Sequence, residues 1–310
     1  MSITLMLPCR ASDWDQIEAR MGLLEHLVGE DFPIGLELMG PFSDFLERGN
    51  LISDVMKNSR RAREMMPDLR FSLHAPFDGK NPMDSFLTTR KENLHSIIKL
   101  AENLRVSVVT FHASHPFSYE GLKDKSLKEI RTLRKNNIKE VAEVFGRLEF
   151  SGLICIENGT GYIGDETGPT KKIRYAPAFS RAQDFIDLNA ESREIVSSTV
   201  DICHLSEVLD PDQLMSELRK FEPVLRHFHL SDGRGHFRPF FGPAFEEGLI
   251  PGRGKIGEKG FKNILRFLLR ISESRELGLV IEVLDKDYVE SESSREALKI
   301  LVEWLRELQG

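Results

Sequence analysis

The chain of 310 residues contains only three cysteines, Cys9, Cys155 and Cys203, and no CxxC pair. An odd number of widely separated cysteines argues against a disulfide framework and against a zinc site built from cysteines alone, so we expect reduced thiols. No apolar run reaches membrane-spanning length. The apolar run near the N-terminus is short and has no basic cluster before it, which is untypical of a signal peptide. The sequence therefore predicts a cytoplasmic protein with no membrane partner.

Two further absences narrow the range of functions. No predicted strand leads into a GxGxxG loop, which removes the commonest functional support for a doubly wound, dinucleotide-binding sheet. The formal net charge is −7, so the surface as a whole does not attract polyanions, and nucleic acid is disfavoured as a partner. Low-complexity segments and linkers are also missing, and we predict one domain over residues 1–310.

Eight short β-rich runs alternate with segments of helical periodicity. The runs cover residues 3–7, 34–39, 70–75, 107–113, 152–158, 197–203, 225–232 and 277–284. Strict alternation implies parallel strands joined by right-handed crossovers, and eight such units are the number that closes a barrel. We therefore predict an α/β fold consisting of a single (β/α)8 barrel, or TIM barrel, in preference to an open doubly wound sheet.

The helical segments and the connections fit this prediction. In the first segment, with Ser12 as its expected N-cap, one stripe is formed by Trp14, Ile17, Met21, Leu24 and Val28. The last segment, after Ser293, repeats the spacing with Leu298, Leu301, Leu305 and Leu308. Two connections, at about 159–177 and 232–257, are longer than barrel turns require. We expect them to be functional loops over the carboxyl-terminal face of the barrel.

Six consecutive strands end in an imidazole or a carboxylate. Because alternate residues of a strand share a face, these side chains are expected to point into the mouth of the barrel. The residue two positions before each of them is small or neutral, except before His229. The six side chains are those of His74, His112, Glu157, Asp201, His229 and Glu282. A carboxylate that ends a buried apolar strand, as Glu157 does, must be paired or bind a cation.

Four of these side chains predict a divalent metal site. Three carboxylates and one imidazole around one point suit Mn²⁺, Co²⁺, Mg²⁺ or Zn²⁺. The predicted ligands are Glu157, Asp201, His229 and Glu282. The alternative is a mouth closed by salt bridges to Arg234, Arg253 and Lys255.

Other polar residues lie near this point in the sequence. His227 is expected one layer deeper, behind His229, and Cys203 is expected to pack in the core. His204 can reach the mouth only if the chain turns after Asp201. Glu37 has the parity to join the mouth, but a buried salt bridge explains it equally well.

The motifs SLHAPF, TFHASH, IENGTG, VDICH, FHLSD and IEVL, which span residues about 70 to 284, resemble those of the xylose isomerase-like barrel superfamily. This superfamily contains sugar phosphate isomerases and epimerases together with endonuclease IV-type apurinic endonucleases. The resemblance implies a (β/α)8 barrel that binds one to three divalent metals and often forms dimers or tetramers.

By this resemblance the four predicted ligands match those of the metal that the superfamily shares, and Glu157 and Glu282 match its acid/base pair. His74 and His112 match ligands of a second metal in the endonuclease branch, and His204 matches a ligand of a third. The seventh loop departs from the endonuclease pattern. There, Gly248 stands where a histidine ligand is expected, although Glu246 and His236 are candidates for the missing third-site ligands.

The favoured hypothesis is a metal-dependent isomerase or epimerase of a sugar, sugar phosphate or related hydroxy-carbonyl compound, acting through an enediolate. Predicted substrate contacts are His204, Arg234, His74 and His112, with Lys171, Lys172, Arg253 and Lys255 as candidates for an anionic tail. The alternatives are an apurinic-site DNA phosphodiesterase and a non-catalytic metal-binding barrel. A homo-oligomer is expected from the resemblance alone.

Overall fold

The computed structural model describes residues 3–47, 50–51, 53–76, 91–112, 126–159, 179, 181–207, 209–234 and 246–310. In chain order the elements are β1 (Ile3–Arg10), α1 (Trp14–Val28), β2 (Ile34–Met39), α2 (Phe42–Phe45), β3 (Leu46–Glu47), β4 (Asn50–Leu51), α3 (Ser53–Met65), β5 (Arg70–His74), α4 (Lys91–Leu104), β6 (Val108–His112), α5 (Leu127–Phe145), β7 (Leu153–Glu157), α6 (Ala182–Glu191), β8 (Val196–Asp201), α7 (Ile202–Ser206), α8 (Pro211–Lys220), β9 (Leu225–Leu230), β10 (Asp232–Arg234), β11 (Glu246–Leu249), α9 (Gly257–Ser272), β12 (Leu277–Ile281) and α10 (Glu292–Gln309).

Eight parallel strands form a closed barrel in the order β1, β12, β9, β8, β7, β6, β5, β2. Each neighbouring pair is consecutive among the barrel strands, and β1 closes the ring by pairing with both β2 and β12. The predicted (β/α)8 barrel is therefore confirmed, and the eight predicted strands coincide with the eight barrel strands to within a few residues at each end.

Successive residues of each barrel strand point alternately outward to the helices and inward to the barrel interior. Outward positions such as Leu36, Phe71 and Ile156 are fully or almost fully buried beneath the helices. Several inward positions in the layer below the mouth are small or polar, and Thr110 Oγ1 and Thr199 Oγ1 lie 2.7 Å apart and hydrogen-bond across the interior. This alternation directs the last inward residue of each strand to the carboxyl-terminal opening.

The first helix is capped one residue later than its sequence pattern predicts. Asp13, not Ser12, is the N-cap of α1, and its carboxylate accepts a hydrogen bond from the backbone N–H of Gln16 at 3.1 Å. Aspartate caps as well as serine does, and only the turn after β1 decides which of the two adjacent residues adopts the cap conformation. The predicted stripe is confirmed as the core-facing surface, with Ile17, Met21, Leu24 and Val28 buried.

The predicted loop at 232–257 contains a small antiparallel sheet. β10 pairs with β11, and Gly248 O accepts a hydrogen bond from Leu284 N at 2.9 Å, which places β11 beside the end of β12. The carboxylate of Asp232 accepts hydrogen bonds from the backbone amides of Gly254 (2.7 Å) and Ile256 (3.1 Å) and so anchors the turn that follows β11. Residues 160–178 and 235–245 of the two predicted long loops lie outside the described residues.

Candidate metal and catalytic site

The carboxyl ends of β7, β8, β9 and β12 bring four side chains to one point at the mouth of the barrel. One potential ligand atom from each lies within 4.8 Å of all the others, and the four residues are Glu157, Asp201, His229 and Glu282. Three of them are buried, whereas 30% of the Glu282 side chain is exposed. The set predicted from strand parity is thus spatially convergent, with Glu282 on the side that solvent or a substrate can reach.

His229 lies at the centre of this group. Its Nδ1 is 3.1 Å from Glu282 Oε2 and 3.4 Å from Glu157 Oε1, and its Nε2 is 3.1 Å from Glu37 Oε2. The imidazole therefore has carboxylates at both nitrogens. Burial opposes protonation, but the Glu37, Glu282 and Glu157 carboxylates raise the pKa of His229 well above its usual value.

The carboxylates respond in different ways to burial. Burial opposes the ionisation of Glu157, but His229 and His112 lower its pKa well below the ordinary range. Burial is also the main reason why the pKa of Asp201 rises to about 7, an increase that Glu157 and Glu282 enlarge and His204 opposes. Three acidic groups this close in a low-dielectric setting require positive charge among them.

The donor atoms also fit a cation in their chemistry and geometry. Within the described part of the chain, Glu157 Oε2, Glu37 Oε2 and both ring nitrogens of His229 are buried and have no partner in hydrogen-bonding geometry. Native proteins rarely leave such atoms without a partner. Oxygen and imidazole nitrogen donors suit Mg²⁺, Mn²⁺, Co²⁺ and Zn²⁺, so the residues present fit the predicted metal.

A second group adjoins the first through Glu157. Its Oε2 lies 3.4 Å from His74 Nε2 and 3.2 Å from His112 Nε2, so these three residues form another potential ligand set. His74 Nδ1 donates to the carbonyl oxygen of Ala75 at 3.2 Å, which fixes the ring with Nε2 towards Glu157. The structure thus brings both histidines to the mouth, as their strand positions predict.

His204 reaches the site because the chain turns directly after β8. Asp201 is the N-cap of α7, and its Oδ1 accepts a hydrogen bond from His204 N at 3.0 Å. His204 Nδ1 donates to the carbonyl oxygen of Asn158 at 2.9 Å, while Nε2 lies 3.5 Å from Asp201 Oδ2. Burial opposes protonation, but Asp201 and Glu157 raise the pKa of His204 to about 10.

The neighbour of His204 on the seventh loop is Glu247, not the predicted Glu246. Glu247 Oε2 lies 3.7 Å from His204 Nε2, whereas Glu246 is exposed and forms no ion pair with His204 among the described residues. Adjacent residues of a strand point to opposite sides, and the pairing of β11 with β10 selects which glutamate faces the mouth. The other third-site candidate, His236, lies outside the described residues.

Two further residues hold the ligands of the site in place. Asn158 was not assigned to the site from the sequence, and the role of Glu37 was left open. Asn158 Oδ1 accepts from Asp201 N at 2.6 Å and Asn158 Nδ2 donates to Asp201 O at 3.0 Å, which joins the ends of β7 and β8. Glu37 is buried and contacts both His229 and His227. Burial opposes its ionisation, but these histidines lower the pKa of Glu37 well below its ordinary value. The polar residue after Glu157 in IEN was the only sequence signal for Asn158.

The basic residues predicted at the mouth are engaged elsewhere. Arg234 donates to the carbonyl oxygen of Arg253 at 3.1 Å, Arg253 pairs with Glu296, and Lys255 Nζ donates to the carbonyl oxygen of Ser206 at 2.8 Å. Among the described residues none of the three forms an ion pair with the convergent carboxylates. The alternative of a mouth closed by these salt bridges is therefore wrong for this part of the chain. Lys171 and Lys172 lie outside the described residues.

A family model described as xylose isomerase-like TIM barrel matches residues 12–308. The chain therefore belongs to the xylose isomerase-like TIM barrel family, as the motifs predicted. None of the curated proteins compared with it gives a significant match. No helix in the described ranges is long and apolar enough to span a membrane.

Solved structures with the same fold include sugar-converting enzymes. The chain is similar to the 3-keto-D-glucoside 4-epimerase YcjR from E. coli, with 14% identity, a TM-score of 0.59 and 98% of each chain covered. A sugar phosphate isomerase/epimerase from Parabacteroides distasonis has 15% identity and a TM-score of 0.58, over 99% of this chain and 96% of that one. A xylose isomerase-like barrel protein from Mycobacterium smegmatis in complex with magnesium has 14% identity and a TM-score of 0.54, over 96% and 90%. At these identities the likeness establishes the fold alone.

Proposed function

We propose that the protein is a divalent-metal-dependent isomerase or epimerase of a sugar, sugar phosphate or related hydroxy-carbonyl compound. The observation that carries the proposal is the convergence of Glu157, Asp201, His229 and Glu282 within 4.8 Å at the mouth of the barrel. Family membership supports it, as do the activities named for the similar proteins from E. coli and Parabacteroides distasonis. The magnesium complex of the Mycobacterium smegmatis protein supports the binding of a divalent metal.

In this proposal Glu157, Asp201, His229 and Glu282 hold one divalent cation. When bound, the cation supplies the polarisation of adjacent carbonyl and hydroxyl oxygens that acidifies the C–H bond beside the carbonyl. Mn²⁺, Zn²⁺, Co²⁺ and Mg²⁺ all suit the donor atoms, and the set does not select among them.

Glu157 and Glu282 are the proposed acid/base pair. Glu157 is ionised at neutral pH, because its pKa lies well below the ordinary range, and an ionised carboxylate can accept the proton from carbon. Glu282 also lies close to His229 Nδ1 and is partly exposed, and in this proposal it returns a proton to the substrate. Breaking one C–H bond and forming it from the opposite face inverts that carbon, which is an epimerisation.

The remaining site histidines are proposed to contact substrate oxygens. His204 is fixed by the carbonyl of Asn158 and has Nε2 directed towards Asp201 and Glu247. His112 is one-third exposed, and His74 lies behind it with the two ring centroids 4.6 Å apart. Arg234 is exposed and bonded to the Arg253 carbonyl, so a substrate role requires that it change partner. A cytoplasmic location and a homo-oligomer stay predictions from the sequence.

A metal-dependent phosphodiesterase that acts on apurinic sites in DNA is the second candidate. It is favoured by one observation, the convergence of His74, His112 and Glu157 as a second potential ligand set. Opposing it, Gly248 stands where the endonuclease pattern has a histidine ligand, and the net charge of −7 disfavours DNA. A third alternative is a barrel that binds metal without catalysis.

The first experiment measures metal content per chain by elemental analysis, on protein purified without chelator. Variants Glu157→Gln and His74→Ala are compared with Glu222→Gln, a matched carboxylate on the surface that pairs with Arg270 away from the mouth. The proposal predicts one metal per chain, lost in Glu157→Gln and retained in the other two. Two or three metals, one of them lost in His74→Ala, would favour the phosphodiesterase, and abasic-site DNA would then be the first substrate.

The second experiment tests proton transfer directly. The loaded protein is incubated in D₂O with D-fructose and with D-fructose 6-phosphate, and NMR follows exchange of the hydrogens beside the carbonyl and the appearance of epimers or aldoses. Exchange or conversion that requires Glu157 and Glu282 supports the isomerase proposal. A metal-loaded protein that converts neither these sugars nor a wider set of ketoses and aldoses would favour the non-catalytic alternative.

A further inference from the structure

Directly behind the proposed metal site lies a buried polar group that the proposed reaction does not use. It consists of Glu37 on β2, Ser72 on β5 and His227 on β9, all of them fully or almost fully buried. Glu37 Oε1 accepts hydrogen bonds from Ser72 Oγ at 3.0 Å and from His227 Nε2 at 2.9 Å. We call these three residues the Glu37 cluster.

The Glu37 cluster meets the site at His229. Glu37 Oε2 lies 3.1 Å from His229 Nε2, on the far side of the ring from Glu157 and Glu282. Carboxylate oxygens lie 3.1 Å from both ring nitrogens, so it is the metal that selects between them. A cation held together with Glu157, Asp201 and Glu282 would take the lone pair of Nδ1, and the ring proton would then be on Nε2, which faces Glu37. When Nε2 is protonated, the neutral imidazole has its lone pair on Nδ1, the nitrogen that faces the other carboxylates.

The Glu37 cluster restricts the orientation of the Glu37 carboxylate. Its Oε1 is fixed by two donors from two different strands, and a Cβ at position 278 would clash with the His227 ring, so Gly278 lets this ring pack close to β12. The ring of His227 therefore packs against Gly278 of β12, with its Nε2 facing Glu37. Four strands, β2, β5, β9 and β12, together determine where the Glu37 carboxylate points.

We infer that Glu37 is a positioning residue that fixes His229 with Nδ1 as its metal-binding atom, and that His227 and Ser72 fix Glu37 in turn. The inference rests on the proposed function, since it assigns a role beside the same metal. A carboxylate that orients a metal-binding histidine raises metal affinity, and loss of such a partner typically weakens binding 10- to 100-fold.

The test uses Glu37→Gln, which keeps the size of the side chain. The glutamine amide has one oxygen, so it cannot present an oxygen to His229 Nε2 and at the same time accept from His227 and Ser72. We expect Co²⁺ to bind the variant about 10- to 100-fold more weakly than the wild-type protein, with altered visible absorption bands of the bound Co²⁺. Thr110→Val is the matched control, because Thr110 is an inward, buried polar residue that bonds to Thr199 and not to the Glu37 cluster.

The outcomes separate the two proposals. If wild-type protein binds neither Co²⁺ nor Zn²⁺, the metal-dependent function fails and this inference fails with it. If the wild type binds Co²⁺ and Glu37→Gln binds it within threefold and with the same spectrum, only the positioning role of Glu37 is refuted. Equal losses in Glu37→Gln and Thr110→Val would also refute it, because they would indicate a general disturbance of the barrel interior.

A measurement on the wild-type chain covers the case in which Glu37→Gln does not fold. With ¹⁵N-labelled histidine and Zn²⁺, long-range NMR correlations distinguish the protonated from the metal-bound nitrogen of each ring. We expect His229, assigned by comparison with His229→Gln, to carry its proton on Nε2 and to bind Zn²⁺ through Nδ1. Binding through Nε2, with the proton on Nδ1, would overturn the inference.

Discussion

Replacement of Asp285 by alanine is expected to be among the most destabilising single changes outside the site. Asp285 follows β12, and its Oδ2 lies 2.8 Å from a guanidinium nitrogen of Arg20 on α1, with both side chains almost completely buried. The same carboxylate accepts hydrogen bonds from Ser294 N at 3.0 Å and from Ser294 Oγ at the start of α10. This group therefore ties the first helix to the last strand and the last helix.

The magnitude follows from what the substitution leaves behind. Arg20 Nε and the second terminal nitrogen, Nη1, already lack hydrogen-bond partners among the described residues, and the guanidinium carbon lies 5.4 Å from the Tyr288 ring centroid. Removing the carboxylate leaves a buried charge without its counter-ion, which costs about 3 to 5 kcal/mol. In a domain of this size 1 kcal/mol shifts the melting temperature by about 2 °C, so we expect a decrease of about 6 to 10 °C.

The assay is unfolding followed by far-ultraviolet circular dichroism, with urea for the free energy and heat for the midpoint. Arg20→Met, Asp285→Ala and the double variant complete a thermodynamic cycle, since a methionine fills much of the volume of the arginine without its charge. We expect the double variant to be more stable than the sum of the two single losses predicts. Additive losses, each under about 1 kcal/mol, would show that the pair behaves as an exposed one and would refute the reasoning.

Three further predictions concern the site and the loop beside it. Gly278→Ala should displace the His227 ring, because the added Cβ would clash with that ring. We expect the free energy of unfolding, measured in urea, to fall by about 1 to 3 kcal/mol. A loss under about 0.5 kcal/mol would contradict the close approach of the ring to β12. Asp232→Ala removes the acceptor of the Gly254 and Ile256 amides, so hydrogen exchange in residues 252–257 should accelerate at least tenfold, with exchange in α10 unchanged as the control. At a free Co²⁺ concentration 100 times its dissociation constant, the chain should gain about 2.7 kcal/mol of stability that a chelator removes; the same gain in Glu157→Gln would show that the ion binds elsewhere.

The sequence by itself determined the barrel fold and the end of the barrel at which the candidate site lies. Eight alternations of strand and helix admit few architectures, because parallel strands need crossovers and eight crossover units close without an edge. The period of two within each strand then fixed which residues face inward, so His74, His112, Glu157, Asp201, His229 and Glu282 could be assigned to the mouth before any distance was known. These inferences depend on local periodicity, which can be read directly from the amino-acid sequence.

Tertiary structure decided what depends on contacts between distant segments. Parity placed Glu37 inside the barrel, but only the closed barrel, in which β9 lies three strands from β2, showed that Glu37 contacts His227 and His229, 190 and 192 positions away. The turn after β8 brought His204 back to the mouth, and the pairing of β11 with β10 chose Glu247 over Glu246. Each of these outcomes is set by backbone direction at a loop and by packing across the barrel. The alternation of residues within a strand predicts neither the backbone direction at a loop nor the packing across the barrel, because this alternation is the same whichever strands lie beside it.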